Sequence, residues 1–475
     1  MANLLGIDVG TSAVKAIVID ERGAVLSAAS VPMRLSTPQP AWTEQSPADW
    51  WAGTEECLSQ LSVQDWDAIG LTGQMHGSVF LDAQGDVIRP ALLWNDQRTA
   101  RQCLEIETAV GAARLKELTG NPALTGFQLP KILWLRDNEP EAFARLHRVL
   151  LPKDYIRFKL TGELATDVSD GSGVGALDVR TRDWSEEILA SLGLSRDLLP
   201  PVVESQALTG RTRMGCPVGA GAGDQAAGAV GAGAIAPGVV SVSLGTSGVV
   251  FSALPQLAID PTGATHVFCH ANGGWHAMGV TLSCGGSVRW FRDSFAPGST
   301  YEELTGTANG TMPGSEGLLF LPYLSGERCP LNDPNVRGAF LGETLSHGFS
   351  HHARAVFEGV TFSLHHAFEA LENLGVHATE LRVCGGGSRS PFWLNLLADV
   401  FGVPCAPLLA DEGPSFGAAL LAGVGVGTWS SIEEAVKVVQ LADCLVGTGA
   451  DYSPFETHFR RASELVSALG SQELA

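Results

Sequence analysis

One short motif is written twice in this chain, half a chain apart. Leu5-Gly-Ile-Asp-Val-Gly-Thr-Ser12 stands near the start, and Val240-Ser-Val-Ser-Leu-Gly-Thr-Ser-Gly248 stands past the middle. Each is a β-rich run that ends in Gly-Thr-Ser and is followed by a second apolar run, at 14–19 and 249–251. The pattern predicts a β-hairpin in each half. Its tight turn would present backbone N–H groups and hydroxyls, with glycine allowing both the turn and a close approach of backbone to ligand. Only the first copy carries a carboxylate, Asp8. Two such turns could grip one phosphate chain from opposite sides, which predicts a duplicated fold that closes on a nucleotide–metal complex.

Length and composition fit that expectation. The 475 residues are 45% hydrophobic and 17% charged, enough for two or three well-packed domains. The 56 glycines fall inside apolar segments, where they read as turns and close contacts. A net charge of -21 excludes a nucleic-acid or anionic-membrane binder, both of which demand a basic face. An acidic chain that takes a polyphosphate must recruit Mg²⁺ and backbone amides against the repulsion. The nine cysteines are scattered singly with no C-x-x-C pair, so reduced thiols are expected and a structural zinc site is not. The N-terminus has no basic n-region, and Asp224, Gln225 and Pro237 interrupt the apolar stretch 217–251. A soluble cytoplasmic protein is the expectation. P-loop, G-x-G-x-x-G, H-E-x-x-H and G-x-S-x-G patterns are all absent.

Along the chain, strands are predicted at 3–10, 14–20 and 24–31, and a helix starts at Ser46-Pro47. A buried strand at 67–72 ends in Gly73-Gln-Met-His-Gly77, and strands 78–81 and 87–92 lead into Leu93-Trp-Asn-Asp-Gln-Arg98. Helical pattern covers 99–118, 129–147 and 152–161. Strand 217–222 ends at Gly223-Asp-Gln225, followed by an Ala/Gly-rich helix at 226–234. In the second half, hairpin 239–253 is followed by a long amphipathic helix over 350–374. Strand 380–384 then runs into a triple glycine, with helices at 391–401 and 415–425. Pro237-Gly238 separates the halves, giving lobes of 1–236 and 237–475, each α/β, with a cleft between them.

Several polar residues stand out against this frame. Asp224 closes a buried Gly/Ala strand, where a carboxylate suits either a general base or a helix N-cap. Asp8 suits either Mg²⁺ or a local Asx turn. Gly10, Thr11, Ser12, Gly245, Thr246 and Ser247 are candidate phosphate donors, and Lys15 could approach the same phosphates or simply be solvated. Met75 and His76 end a strand. The imidazole can read vicinal hydroxyls and Met can cover a carbon face, or both can be core. His351-His352 and His365-His366 are neighbours on one helix and so do not face each other as metal ligands.

In family order, these strings resemble the FGGY carbohydrate kinases over nearly the whole chain, and within them the members that act on D-xylulose. The strings are Gly6-Ile-Asp-Val-Gly-Thr-Ser12, Gly73-Gln-Met-His-Gly77, Leu93-Trp-Asn-Asp96, Leu151-Pro-Lys-Asp-Tyr155, Gly223-Asp-Gln-Ala-Ala-Gly228, Ser243-Leu-Gly-Thr-Ser-Gly248, Phe320-Leu-Pro-Tyr-Leu-Ser-Gly-Glu-Arg328 and Gly385-Gly-Gly387. The resemblance implies the actin-like ATPase fold, two ribonuclease-H-like lobes with an interdomain cleft. Residues 1–236 would bind sugar and carry the base, and 237–475 would bind nucleotide. It implies MgATP-dependent phosphorylation of D-xylulose at its terminal O5, with Asp224 as general base and Asp8 holding Mg²⁺ through water. Met75, His76, Trp94, Asn95, Asp96 and Gln225 would line the sugar site. Gly386, Gly387, Ser390 and Asn395 would join the two Gly-Thr-Ser turns in holding ATP. Families of this kind often dimerise, which makes a homodimer an expectation, though no segment of the sequence marks an interface. The chain departs from the family pattern at Ala13, Gln128, Cys329-Pro-Leu331 and Gly342-Glu343. Those departures keep a sibling kinase for ribulose, erythritol or a hexulose open. From another class, an actin-like sugar and nucleotide sensor without turnover stays open too.

Overall fold

In the computed structural model, which describes residues 2–409 and 412–470, the chain forms two compact units. The first comprises Met1–Ile235, Val267–Trp275 and Glu412–Val439, and the second Ala236–His266, His276–Asp411 and Gln440–Ala475. Two stretches that the sequence reading assigns to the second lobe therefore pack in the first unit.

The first unit is built on a mixed sheet of seven strands: β1 (Leu4–Val9), β2 (Ala13–Ile19), β3 (Val25–Pro32), β4 (Ala68–Gly73), β5 (Leu208–Arg211), β6 (Pro217–Gly219) and β7 (Ala222–Gly223). Their order is β5-β6-β4-β1-β2-β3, with β7 also beside β4. Hairpin β1–β2 is antiparallel, with Asp8 opposite Lys15. Strand β1 lies parallel to β4, with Val9 beside Gly73, and Gly73 is in turn beside Gly223 on β7. The carboxyl ends of three adjacent strands thus lie level, the place where parallel sheets bind ligands. Leu5, Ile7, Val9, Val18, Leu71 and Trp50 are among the buried residues of the core, consistent with a sheet covered on both faces.

Two glycines explain how the late segment rejoins this unit. A Cβ on Gly6 would stand 1.9 Å from the Ser415 carbonyl, and one on Gly70 would stand 1.8 Å from that of Ala418. Gly6 and Gly70 are register partners on β1 and β4, so together they form a bare strip on which the helix Pro414–Gly425 lies. Leu4, Ile17, Ala227, Val230, Phe416 and Leu420 complete this second core.

The second unit repeats the plan with β8 (Val239–Leu244), β9 (Gly248–Ala253), β10 (Trp275–Thr281), β11 (Glu380–Cys384) and β12 (Cys405–Pro407). Strand β8 pairs antiparallel with β9 and parallel with β11, as β1 does with β2 and β4. The long helix Phe349–Glu372 runs largely buried against this unit. The predicted helix 99–118 is broken: Gly111, at φ 89°, separates Ala100–Val110 from Ala112–Thr119. The predicted 129–147 likewise divides at Glu139, before Pro140 starts a new turn.

Candidate active site

In the first unit, the level strand ends bring together Asp8, the Gln74–Gly77 turn and Asp224. Asp8 lies one residue inside the end of β1, and its Oδ1 is buried with no hydrogen-bond partner. Burial, followed by the negative charge of Asp224, pushes the Asp8 carboxyl from 3.8 up to about 7, while Lys15 pulls the other way. Lys15 is itself ion-paired with the Glu412 carboxylate at 2.6 Å. Asp224 is the first residue of the helix Asp224–Gly231, with Gly223 as its N-cap, so the capping role weighed from the sequence falls to its neighbour. Desolvation raises the Asp224 carboxyl to about 6, opposed by hydrogen bonds from the Gln225 backbone and side chain. Two carboxylates close enough to interact, one with an unmatched oxygen, form a donor set that suits a hard divalent cation.

The turn after β4 is unusually tight. His76 has φ 67°, and the Gly77 amide donates to the Met75 carbonyl at 2.9 Å, the spacing of a γ-turn. Such a non-glycine conformation costs about 1–3 kcal/mol and persists only where its surroundings hold it. The His76 Nδ1 lies 2.7 Å from the Gly173 carbonyl, and its ring stacks on Phe127 at 4.7 Å. Met75 is 4% exposed. A Cβ on Gly223 would come within 2.9 Å of Met75 and one on Gly173 within 2.5 Å of His76, so both glycines are needed for the pair to fit.

Around this turn, polar contacts sort the predicted site residues. Trp94 is 39% exposed and donates from Nε1 to the Thr11 hydroxyl at 3.0 Å. That hydroxyl donates in turn to Gln74 Oε1 at 3.0 Å. Its one hydrogen is directed at Gln74 within the first unit. The Gly10 amide is likewise committed to the Ala13 carbonyl, while Ser12 at the turn's tip is exposed. Asn95 Oδ1 accepts from the Thr43 hydroxyl at 2.7 Å. Asp96 is fully buried and accepts from the Thr43 amide and the Arg98 guanidinium. It ties Thr43 to the loop that carries Arg98. Gln225 is half-buried beside Asp224.

In the second unit, Thr246 and Ser247 are exposed at the tip of the β8–β9 turn. The Cys284 and Gly286 amides donate to the Thr246 carbonyl at 2.9 and 3.0 Å, and the Gly285 amide donates to the Gly245 carbonyl at 2.8 Å. A Cβ on Gly285 would stand 2.7 Å from the Gly245 carbonyl, so this glycine pair fixes the turn. Sequence reasoning missed Gly285-Gly286, which open the helix Gly285–Phe295 and whose only signal in the sequence is two adjacent glycines. Gly386 has an open face with nothing within 4 Å of its Cβ direction, whereas Gly387 packs on Leu244 and Trp393. The Ser390 hydroxyl caps the helix Pro391–Phe401 by accepting from the Trp393 amide at 3.2 Å. Asn395 instead lines a cavity of about 290 Å³ with Thr311, Arg354, Phe392, Asp399 and Tyr452, and the glycine turn is not part of its wall. Among the described residues no group of three or more His, Cys, Asp or Glu side chains is placed to hold a metal ion, and no helix is long and apolar enough to cross a membrane.

Comparison with known proteins agrees with this geometry. The N-terminal domain model of the FGGY family of carbohydrate kinases matches residues 3–231, and the C-terminal domain model matches 240–426. The xylulose kinase of Escherichia coli (strain K12) is 40% identical, with 96% of this chain and 98% of that protein covered. The xylulose kinase of Bacillus subtilis (strain 168) is 39% identical, covering 92% and 91%. A crystal structure described as a xyloylose kinase from Brucella ovis superposes with a TM-score of 0.91 at 38% identity, covering 99% of this chain and 100% of that one. The doubled hairpin and sheet plan are those of the actin-like ATPase fold. The chain belongs to the FGGY family of carbohydrate kinases.

Proposed function

We propose that this kinase transfers the γ-phosphoryl group of ATP to the terminal O5 hydroxyl of D-xylulose, with Asp224 as general base. The observation that carries the reading is the level register of β1, β4 and β7, which sets Asp8, Met75-His76 and Asp224 at one sheet end. Relatives named xylulose kinase at about 40% identity over nearly full length support the choice of sugar.

Each residue then has a task. Met75 would offer its thioether to a carbon face of the sugar, and the His76 ring, oriented by Gly173 and Phe127, would read the hydroxyls. With its carboxyl at about 6, Asp224 is ionised at neutral pH yet basic enough to take the hydroxyl proton as the oxygen attacks phosphorus. The P–O bond to ADP breaks as the new one forms. Asp8, through its unmatched Oδ1, would hold Mg²⁺ by way of water, since Mg²⁺ dehydrates reluctantly. When bound, the metal would draw off charge developing on the β- and γ-phosphoryl oxygens. Within the second unit, exposed Thr246 and Ser247 would supply donors to the nucleotide and open-faced Gly386 would lie against the nucleoside; in the first unit, exposed Ser12 is the candidate donor.

The test is ADP release from MgATP across pentuloses, hexuloses and polyols, with a no-sugar control. Stimulation by D-xylulose well above all others is expected. Stimulation by a different sugar alone overturns the substrate, and stimulation by none, in folded protein, overturns the reaction.

A further inference from the structure

The γ-turn at His76 carries strain, and something must hold it. Three residues of the segment 126–131 do so. The Phe127 ring stacks on the imidazole. Gln128, 1% exposed, donates from Nε2 to the Gly77 carbonyl at 2.9 Å and to the Leu150 carbonyl at 3.1 Å. Lys131, fully buried one helical turn further on, donates from Nζ to the His76 carbonyl at 2.8 Å and to the Gly126 carbonyl at 2.6 Å. Gly126 lies against the Trp94 backbone, since a Cβ there would stand 2.4 Å from the Trp94 carbonyl. Consecutive carbonyls, His76 and Gly77, are thus gripped by consecutive turns of one helix, Gln128–Asn138. Within the described residues, Lys131 makes no ion pair.

We infer that Lys131 and Gln128 are positioning residues for sugar recognition: they lock the strained His76 turn and hold it in register with Trp94. The inference rests on the proposed role of His76 and extends it. A buried lysine is a poor choice for packing alone, and burial pushes its ammonium down to about 7, with Asp96 and Arg98 pulling in opposite directions. It donates two hydrogen bonds whether charged or neutral. Gln128 is long enough to span from its own helix to both Gly77 and Leu150. A hydroxyl side chain at the same position is shorter by two heavy-atom bonds. The two residues touch neither base nor phosphate-binding turn, so their loss should fall on sugar binding.

The experiment measures KM for D-xylulose, KM for ATP and kcat in Lys131→Met, Gln128→Met and His76→Ala, with the melting temperature of each. For both positioning variants, KM for D-xylulose is expected to rise about tenfold, with KM for ATP within about twofold. Gln128→Met, the milder change, decides the matter if Lys131→Met fails to fold. Unchanged sugar KM in folded positioning variants, while His76→Ala is impaired, overturns the inference and leaves the function standing. A parallel rise in both KM values, or a lower melting temperature with neither KM altered, reduces the pair to structural support and overturns it as well. Unchanged sugar KM in His76→Ala itself removes the reading beneath it.

Discussion

Replacing Asp8 with asparagine is expected to make the protein inactive and, at alkaline pH, more stable. Its carboxyl is raised from 3.8 to about 7, first by burial and then by the charge of Asp224. A folded-state value above the unfolded one means that the bound proton favours folding, an advantage lost as pH rises from about 4 through 7. Above that range the folded protein holds a poorly solvated carboxylate. At about 1.4 kcal/mol per tenfold, the rise to about 7 corresponds to ~4 kcal/mol. Asp8 is only partly buried, and an asparagine carbonyl left unpaired returns some of the penalty, so about 2 kcal/mol is the expected gain. The assay is urea unfolding of wild type and Asp8→Asn in EDTA, at pH 8 and again at pH 4.5. The gain should be present at pH 8 and fall to about a quarter of that at pH 4.5. Added Mg²⁺ should raise the wild-type midpoint and leave the variant's unmoved. A variant less stable than wild type at pH 8, or equally stabilised at both pH values, refutes the reasoning.

Asp224→Asn should fold and lose at least ~10² in kcat, and wild-type kcat should fall about tenfold per pH unit below about 6, where Asp224 takes up its proton. An acid limb near pH 4 in stopped or continuous ADP assays would contradict this. Gly70→Ala should cost about 3 kcal/mol, the upper end of overpacking, because its methyl would stand 1.8 Å from the Ala418 carbonyl. Urea midpoints measure it, and near-wild-type stability would show that the Pro414–Gly425 helix can retreat. Gly285→Ala should raise KM for ATP several-fold and leave KM for the sugar alone, since it displaces the Gly245 carbonyl. An unchanged KM for ATP would detach the β8–β9 turn from nucleotide binding.

Much of this architecture is legible in the sequence because apolar runs and Gly-Thr-Ser turns are local signals. Both hairpins, the strand before Gly73 and the helices at 350–374, 391–401 and 415–425 match the structure closely. What stays hidden is non-local. The bare strip of Gly6 and Gly70 looks like ordinary strand glycine until a helix some 340 residues later lies on it. Asp96 has the same side chain as a ligand-binding carboxylate, and only the fold sets the Arg98 guanidinium against it. The Thr11 hydroxyl is likewise occupied by partners from two other loops, Gln74 and Trp94. Lys131 and Gln128 reveal their role only once the backbone of a distant turn is placed under them. Breaks at Gly111 and before Pro140 were readable from residue type, yet helical periodicity on both sides masked them.

The return of Glu412–Val439 to the first unit sets an order on biosynthesis. A ribosome delivers the chain from its N-terminus, and domains ordinarily fold as they emerge. Here the sheet that bears Asp8 and leads into Asp224 is complete after residue 223, but the helix that covers its glycine strip is not made until residue 425. For the span between, the nascent chain exposes an apolar surface that it cannot yet close, and so it depends on chaperones or on speed. Pausing within the second half, or truncation before residue 412, would leave that surface open to aggregation, however intact the residues of the catalytic centre.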